Sequence, residues 1–134
     1  MSDMKAFAKW TEDDRFTGAA NSGHQVIMDA GSEKSAVSPV EMVLIALCGC
    51  TASDVVSILR KKREPFTSVE VHADSERAPE PPKIFTKIKL VYRVAGKVNR
   101  KSVEDAVRLS TEKYCSVGAM LEKTAEITFV IELV

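Results

Sequence analysis

Three cysteines, Cys48, Cys50 and Cys115, are the residues of this chain best suited to chemistry. A thiolate is both a nucleophile and a metal ligand. Cys48-Gly49-Cys50 lacks zinc-knuckle spacing, and no second cysteine pair exists to complete four ligands, so no metal site is expected. On a helix, Cys48 and Cys50 point about 200° apart and cannot pair. One then faces the core, while the other is free to face a cleft. Free cysteine is ordinarily a small buried hydrophobe, and that reading stands for all three. Three features favour reactivity. Gly49 interrupts a helix interior at a cost of about 1 kcal/mol, which points to close approach by something beside Cys50. The Gly49-Cys50-Thr51-Ala52-Ser53 run is small enough to leave room for a pocket. Cys115 falls at a break between two helices, where exposed N–H groups lower a thiol pKa.

A nucleophilic Cys50 needs help from a side chain. It lies about three turns into its helix, and the dipole effect fades within one turn. Arg15 is the only arginine before Arg60, and His24 the only histidine before His72. Glu41 sits about 13 Å along the axis from Cys50 and on the opposite face, so within one chain it serves as a helix-capping partner. It remains able to face another chain. His24, after a glycine at a turn, reads as an exposed loop residue. Arg60-Lys61-Lys62-Arg63 reads as a solvated helix end.

These residues require a frame. Met4 to Trp10 alternates as a half-buried strand, and Arg15 to Gly18 and Gln25 to Met28 return as two more, a small antiparallel meander. Ser38-Pro39-Val40-Glu41 is a capping box with proline at the first helical position. The helix it opens is expected to run to Arg63, about 37 Å, with Pro65 beyond. Its first half, Met42 to Ala52, is apolar or small on every face and must be surrounded by protein. A domain this small cannot cover it alone, so a second subunit is expected. Thr67 to Ala73 and Lys83 to Val94 form a hairpin joined by the rigid Ala78-Pro79-Glu80-Pro81-Pro82 connector. Ser102 opens a helix reaching about Tyr114, Ser116 to Lys123 is a short further helix, and Thr124 to Val134 closes as a strand with Ile127, Phe129, Ile131 and Leu133 on one face. The order βββ-α-ββ-α-α-β is an α+β domain spanning residues 1–134.

Composition sets the outer limits. The 134 residues carry 19 basic and 19 acidic side chains, a formal net charge of zero, which disfavours nucleic-acid binding. The content of 45% hydrophobic and 28% charged residues is globular. No signal peptide is evident, and the apolar charge-free run Met42 to Ser53 is short of the roughly 20 residues a bilayer needs, so no membrane association is expected. An odd number of cysteines without a secretion signal suggests reduced thiols in a cytoplasm.

Ser38-Pro39-Val40-Glu41-Met42 leading to Gly49-Cys50, with Tyr114-Cys115-Ser116-Val117 later, resembles the OsmC/Ohr family of osmotically induced and organic-hydroperoxide-resistance proteins. Cys50 to Leu59 and Ser110 to Val117 are similar to its YhfA-like branch. The resemblance covers essentially the whole chain. It implies an OsmC-like fold, with antiparallel sheets packed around a long central helix in an intertwined homodimer. It further implies a thiol-dependent peroxidase acting on organic hydroperoxides or hydrogen peroxide, without a cofactor. Cys50 would be peroxidatic and Cys115 resolving. A dithiol or lipoyl-type compound would be the reductant. The family's activating arginine lies in the N-terminal strands, for which Arg15 is the candidate by elimination. Active hydroperoxide reductases place a glutamate directly after the Ser/Asn-Pro; here that position is Val40, and Glu41 follows it. Two other functions stay open on the same fold: holding an apolar ligand without turnover, and redox sensing through Cys50 and Cys115.

Overall fold

The structure, a computed structural model, describes residues 4–134. Its elements follow the expected order: β1 (Ala6–Glu12), β2 (Arg15–Ala20), β3 (Gln25–Asp29), α1 (Pro39–Lys61), β4 (Phe66–Arg77), β5 (Phe85–Gly96), α2 (Arg100–Leu109), a π turn (Ser110–Tyr114), α3 (Ser116–Leu121) and β6 (Glu126–Leu133). The chain divides into two compact units, one ending at Leu44 and the other beginning at Ile45.

In the first unit β1, β2 and β3 form an antiparallel meander in that order. Arg15 lies opposite Asp29 and Phe16 opposite both Trp10 and Met28. The first turn places Asp13 at φ 48°, a left-handed conformation that aspartate tolerates. Contrary to the half-buried expectation, β1 is exposed along its length, Phe7 and Trp10 included. After β3 the carboxylate of Asp29 gathers the loop, accepting from Gly31 N at 2.8 Å, Ser35 N at 3.0 Å and Ser35 Oγ at 2.8 Å. The capping box then forms reciprocally: Ser38 N donates to Glu41 Oε1 at 2.8 Å and Glu41 N donates to Ser38 Oγ at 3.1 Å.

The second unit holds the core. Its sheet has the order β4-β5-β6, with β5 antiparallel to β4 and parallel to β6. The parallel pair departs from the antiparallel expectation, because the crossover through α2 and α3 returns the chain in the same direction. Ile88, Leu90, Tyr92 and Val94 on the central strand alternate into the interior and are fully buried. Leu47, Thr51, Val55 and Leu59 recur every four residues along α1 and are buried too, as are Val103, Ala106 and Val107 of α2. On β6 only Ile127 and Ile131 are even half-buried, whereas Phe129 and Leu133 stay exposed.

Boundaries shift for local reasons. The α1 helix stops two residues short of Arg63, because Glu64 N reaches back to Leu59 O at 3.0 Å and Arg63 turns left-handed at φ 57°. The α2 helix begins two residues before Ser102, since Asn99 Oδ1 caps it by accepting from Lys101 N and Ser102 N. By length and a mean hydropathy of 2.1, α1 could cross a membrane. Its Leu47–Leu59 stripe is instead buried in its own chain, while Val40, Val43, Ile45, Ala46 and Gly49 stay exposed.

Candidate functional site

Cys50 and Cys115 both lie in the second unit, near each other but not at disulfide distance. Cys50 is half-buried on α1, one residue before the buried Thr51. Cys115 is buried where the π turn ends and α3 begins. Both are free thiols, not joined as a disulfide, and Cys50 is near enough to contribute to the raised pKa of Cys115.

The backbone around Cys115 is unusual. Its N–H donates to Ser110 O at 2.8 Å, closing the wide i→i+5 ring of a π turn, where a continuous α-helix was expected to Tyr114. Cys115 then acts as the N-cap of α3, its Sγ accepting from Gly118 N at 3.3 Å. A Cβ at position 118 would lie 3.3 Å from that sulfur, so glycine lets the N–H come close. This donor alone would favour the thiolate, as expected for a thiol at a helix start. Burial outweighs it and pushes the Cys115 thiol up to about 11, helped by Cys50 and the negative charge of Asp54.

Behind the thiols runs a chain of hydroxyl groups. Tyr92 OH and Thr51 Oγ1 are 2.7 Å apart, Thr51 Oγ1 and Ser110 Oγ 2.7 Å, and Ser110 Oγ donates to Asp54 Oδ2 at 2.8 Å. Tyr92, Thr51 and Ser110 are all fully buried. The carboxylate can only accept, so Ser110 spends its single proton on Asp54. Thr51 must then donate to Ser110, and Tyr92 to Thr51. Burial pushes the Tyr92 hydroxyl up to about 12, so it keeps the proton it donates. Sequence reasoning missed this chain; three hydroxyls and an aspartate scattered over α1, β5 and the π turn carry no local motif.

A cavity of about 220 Å³ opens beside Cys115. Leu47, Leu90, Ile127 and Phe129 give it apolar walls, and Thr111 and Glu122 add polar ones. Cys48 is half-buried, and desolvation raises its pKa, as befits a packing residue.

The remaining candidates lie in the first unit. Arg15 is half-buried, with NH1 3.4 Å from Glu12 Oε1 and Nε buried without a hydrogen-bond partner among the described residues. Glu41 is exposed and engaged in the capping box, where the Ser38 N–H holds its pKa down. His24 is exposed. Among the described residues no group of three His, Cys, Asp or Glu side chains is placed to hold a metal ion.

Comparison with known proteins gives a consistent result. A family model described as OsmC-like protein matches residues 31–130. The chain is 49% identical over 132 residues to Protein YhfA of Escherichia coli K12, covering 98% of both. A hypothetical protein from Aquifex aeolicus VF5 superposes with a TM-score of 0.86 at 29% identity, covering 100% of this chain and 99% of that one. An organic hydroperoxide resistance protein OsmC from Legionella pneumophila superposes with a TM-score of 0.72 at 15% identity, covering 98% of each, which shows a shared fold.

Proposed function

The chain belongs to the OsmC-like protein family, and from that premise we propose that it is a cytoplasmic thiol-dependent peroxidase that reduces organic hydroperoxides, with Cys50 peroxidatic and Cys115 resolving. The observation that carries this reading is the placement of two free thiols near each other, Cys50 on α1 and Cys115 where the π turn meets α3, with Cys50 contributing to the raised pKa of Cys115. The Cys50 thiolate attacks the terminal peroxide oxygen, the O–O bond breaks, and the departing alkoxide takes up a proton from solvent to leave as the alcohol. Cys50 is then a sulfenic acid. Attack by Cys115 sulfur forms the disulfide and expels water. An external dithiol returns both thiols and is itself oxidised to a disulfide.

The cavity beside Cys115 has apolar walls that suit an organic over a hydrogen peroxide, although Cys50 itself is not among its lining residues. Arg15, on the second N-terminal strand, is the proposed activating cation. Glu41 is assigned a secondary place, because its carboxylate is already taken by Ser38. The whole chain acts as one domain and pairs with a second copy. The exposed apolar residues Val40, Val43 and Ile45 on α1 support that pairing.

The same cavity favours a second reading, retention of an apolar ligand without turnover. Mass spectrometry of the three thiols after one equivalent of cumene hydroperoxide separates the two. A Cys50–Cys115 disulfide, regenerated by dithiol with peroxide consumed, supports the peroxidase. Unchanged thiols after prolonged exposure defeat it.

A further inference from the structure

Resting on the reading of Cys50 and Cys115 as a disulfide-forming pair, we propose that the buried chain Tyr92–Thr51–Ser110–Asp54 is a positioning device that holds the two thiols in register and sets the rate at which they join. Ser110 is its centre. The Ser110 carbonyl accepts the Cys115 N–H at 2.8 Å, so this residue fixes the backbone that presents the sulfur. Its hydroxyl meanwhile bonds two residues of α1, Thr51 at 2.7 Å and Asp54 at 2.8 Å. Thr51 directly follows Cys50, and Asp54 lies one helical turn on, over the same face as Cys50. The π turn carrying one thiol is thus tied on both sides to the stretch of helix carrying the other.

The direction of the bonds strengthens the tie. Each hydroxyl has one proton to donate, and the terminal carboxylate fixes where every proton points. Such a chain has one arrangement, and its bonds reinforce one another in a dry interior. Disulfide closure needs the two sulfurs to approach to a covalent distance of about 2.05 Å with a defined dihedral angle. A turn free to wander would lower the effective concentration of one thiol at the other. Burial alone does not supply this constraint, because Cys115 ends a π turn whose ring is wider than an α-turn.

Closure can be read without peroxide. Diamide takes up two electrons and the two thiol protons at its azo bond, becoming a hydrazine, while the sulfur–sulfur bond forms. The test measures the rate of Cys50–Cys115 closure by diamide in protein carrying Cys48→Ala. Ser110→Ala, which cuts both ties, should slow closure at least tenfold. Thr51 supplies a test that separates positioning from packing. Thr51→Ser keeps the hydroxyl and should stay within threefold of the parent, while the isosteric Thr51→Val should slow closure clearly further. If the chain only filled space, valine would be the milder change and serine the worse, and that order overturns the proposal. Closure at the parent rate in Ser110→Ala overturns it as well. Should Ser110→Ala fail to fold, the order of the Thr51 pair decides. If the parent closes with diamide but Cys50 ignores hydroperoxide, the peroxidase reading fails and the positioning role is still judged by the variants. A parent that does not close at all overturns both.

Discussion

Ser110 Oγ donates to Asp54 Oδ2 at 2.8 Å, joining residues 56 positions apart in a hydrogen bond to a half-buried carboxylate. Removing the serine hydroxyl strands two groups at once, the carboxylate and the Thr51 proton. Leaving buried partners unsatisfied costs about 1–3 kcal/mol, more when one is charged. Ser110→Ala should therefore lower unfolding stability in urea by roughly 2 kcal/mol. Tyr92→Phe removes only the outer donor of the chain and should cost less. Equal losses in the two variants would mean that the carboxylate end carries no special weight.

The thiols should differ in role. Cys48→Ala should leave peroxide consumption unchanged, since on the helix that thiol points about 200° away from Cys50. Cys50→Ser should abolish consumption. Cys115→Ser should leave a sulfenic acid on Cys50, detected by a dimedone adduct. Adducts spread evenly over Cys48 and Cys115 would contradict the assignment.

Asp29 gives a pH signature remote from the thiols. The Ser35 N–H, seconded by Gly31 N–H and the Ser35 hydroxyl, holds its carboxyl at about 2 against an ordinary 3.8. A carboxyl with a depressed folded pKa contributes stability above its unfolded value, and the contribution is lost as pH falls towards the folded one. The wild type should accordingly lose stability between about pH 4 and pH 2 through this group. Asp29→Asn should be less stable at pH 7 and converge on the wild type near pH 2. A constant difference between the two across that range, in urea titrations, would remove Asp29 from the acid response.

Much of the frame was legible in the chain. The capping box at Ser38 and Glu41 formed as its Ser-x-x-Glu spacing requires, and β5 buried alternate residues as its period-two pattern requires. Local signals failed where tertiary packing decides. Nothing near Ser110 announces a π turn; the buried bonds to Thr51 and Asp54 accompany it. Cys115 was expected to be acidified at a helix start, and the Gly118 N–H does act that way, but desolvation is larger. Desolvation depends on residues far away in sequence, which no local pattern reports. Alternation in β1 identified a strand without revealing that both its faces lie open.

Gly49 tests the expected second copy. Nothing lies within 4 Å of the position a Cβ would take there, and the residue is exposed on α1. In an isolated chain Gly49→Ala should gain about 1 kcal/mol of helix stability without any clash. If another copy approaches this face closely, bulk at the same position must push it away. Gly49→Leu should then raise the monomer fraction several-fold in sedimentation equilibrium at low micromolar concentration. A wild-type protein that sediments as a folded monomer there would dispose of the dimer.

The last prediction concerns the carboxylate that this chain lacks after Pro39. Arg15 holds a positive charge with one buried N–H unpartnered, and its NH1 leans on Glu12 at a loose 3.4 Å. Glu41 does not supply the missing partner, since its oxygen is bound to Ser38 N at 2.8 Å. Val40 stands at the position where the family resemblance places a glutamate, and it is exposed within its own chain. Provided Arg15 or another arginine is close enough to be oriented, Val40→Glu should fix the guanidinium and favour the anionic thiolate and the charge that develops as the O–O bond breaks. A gain of ~1.4 kcal/mol corresponds to about tenfold in rate. Steady-state reduction of cumene hydroperoxide by wild type, Val40→Glu and the double variant Val40→Glu/Arg15→Ala reads this directly. The single variant should be about tenfold faster than wild type, and the double variant should lose the gain. A gain that survives the loss of Arg15 would show that the carboxylate acts through something other than this arginine.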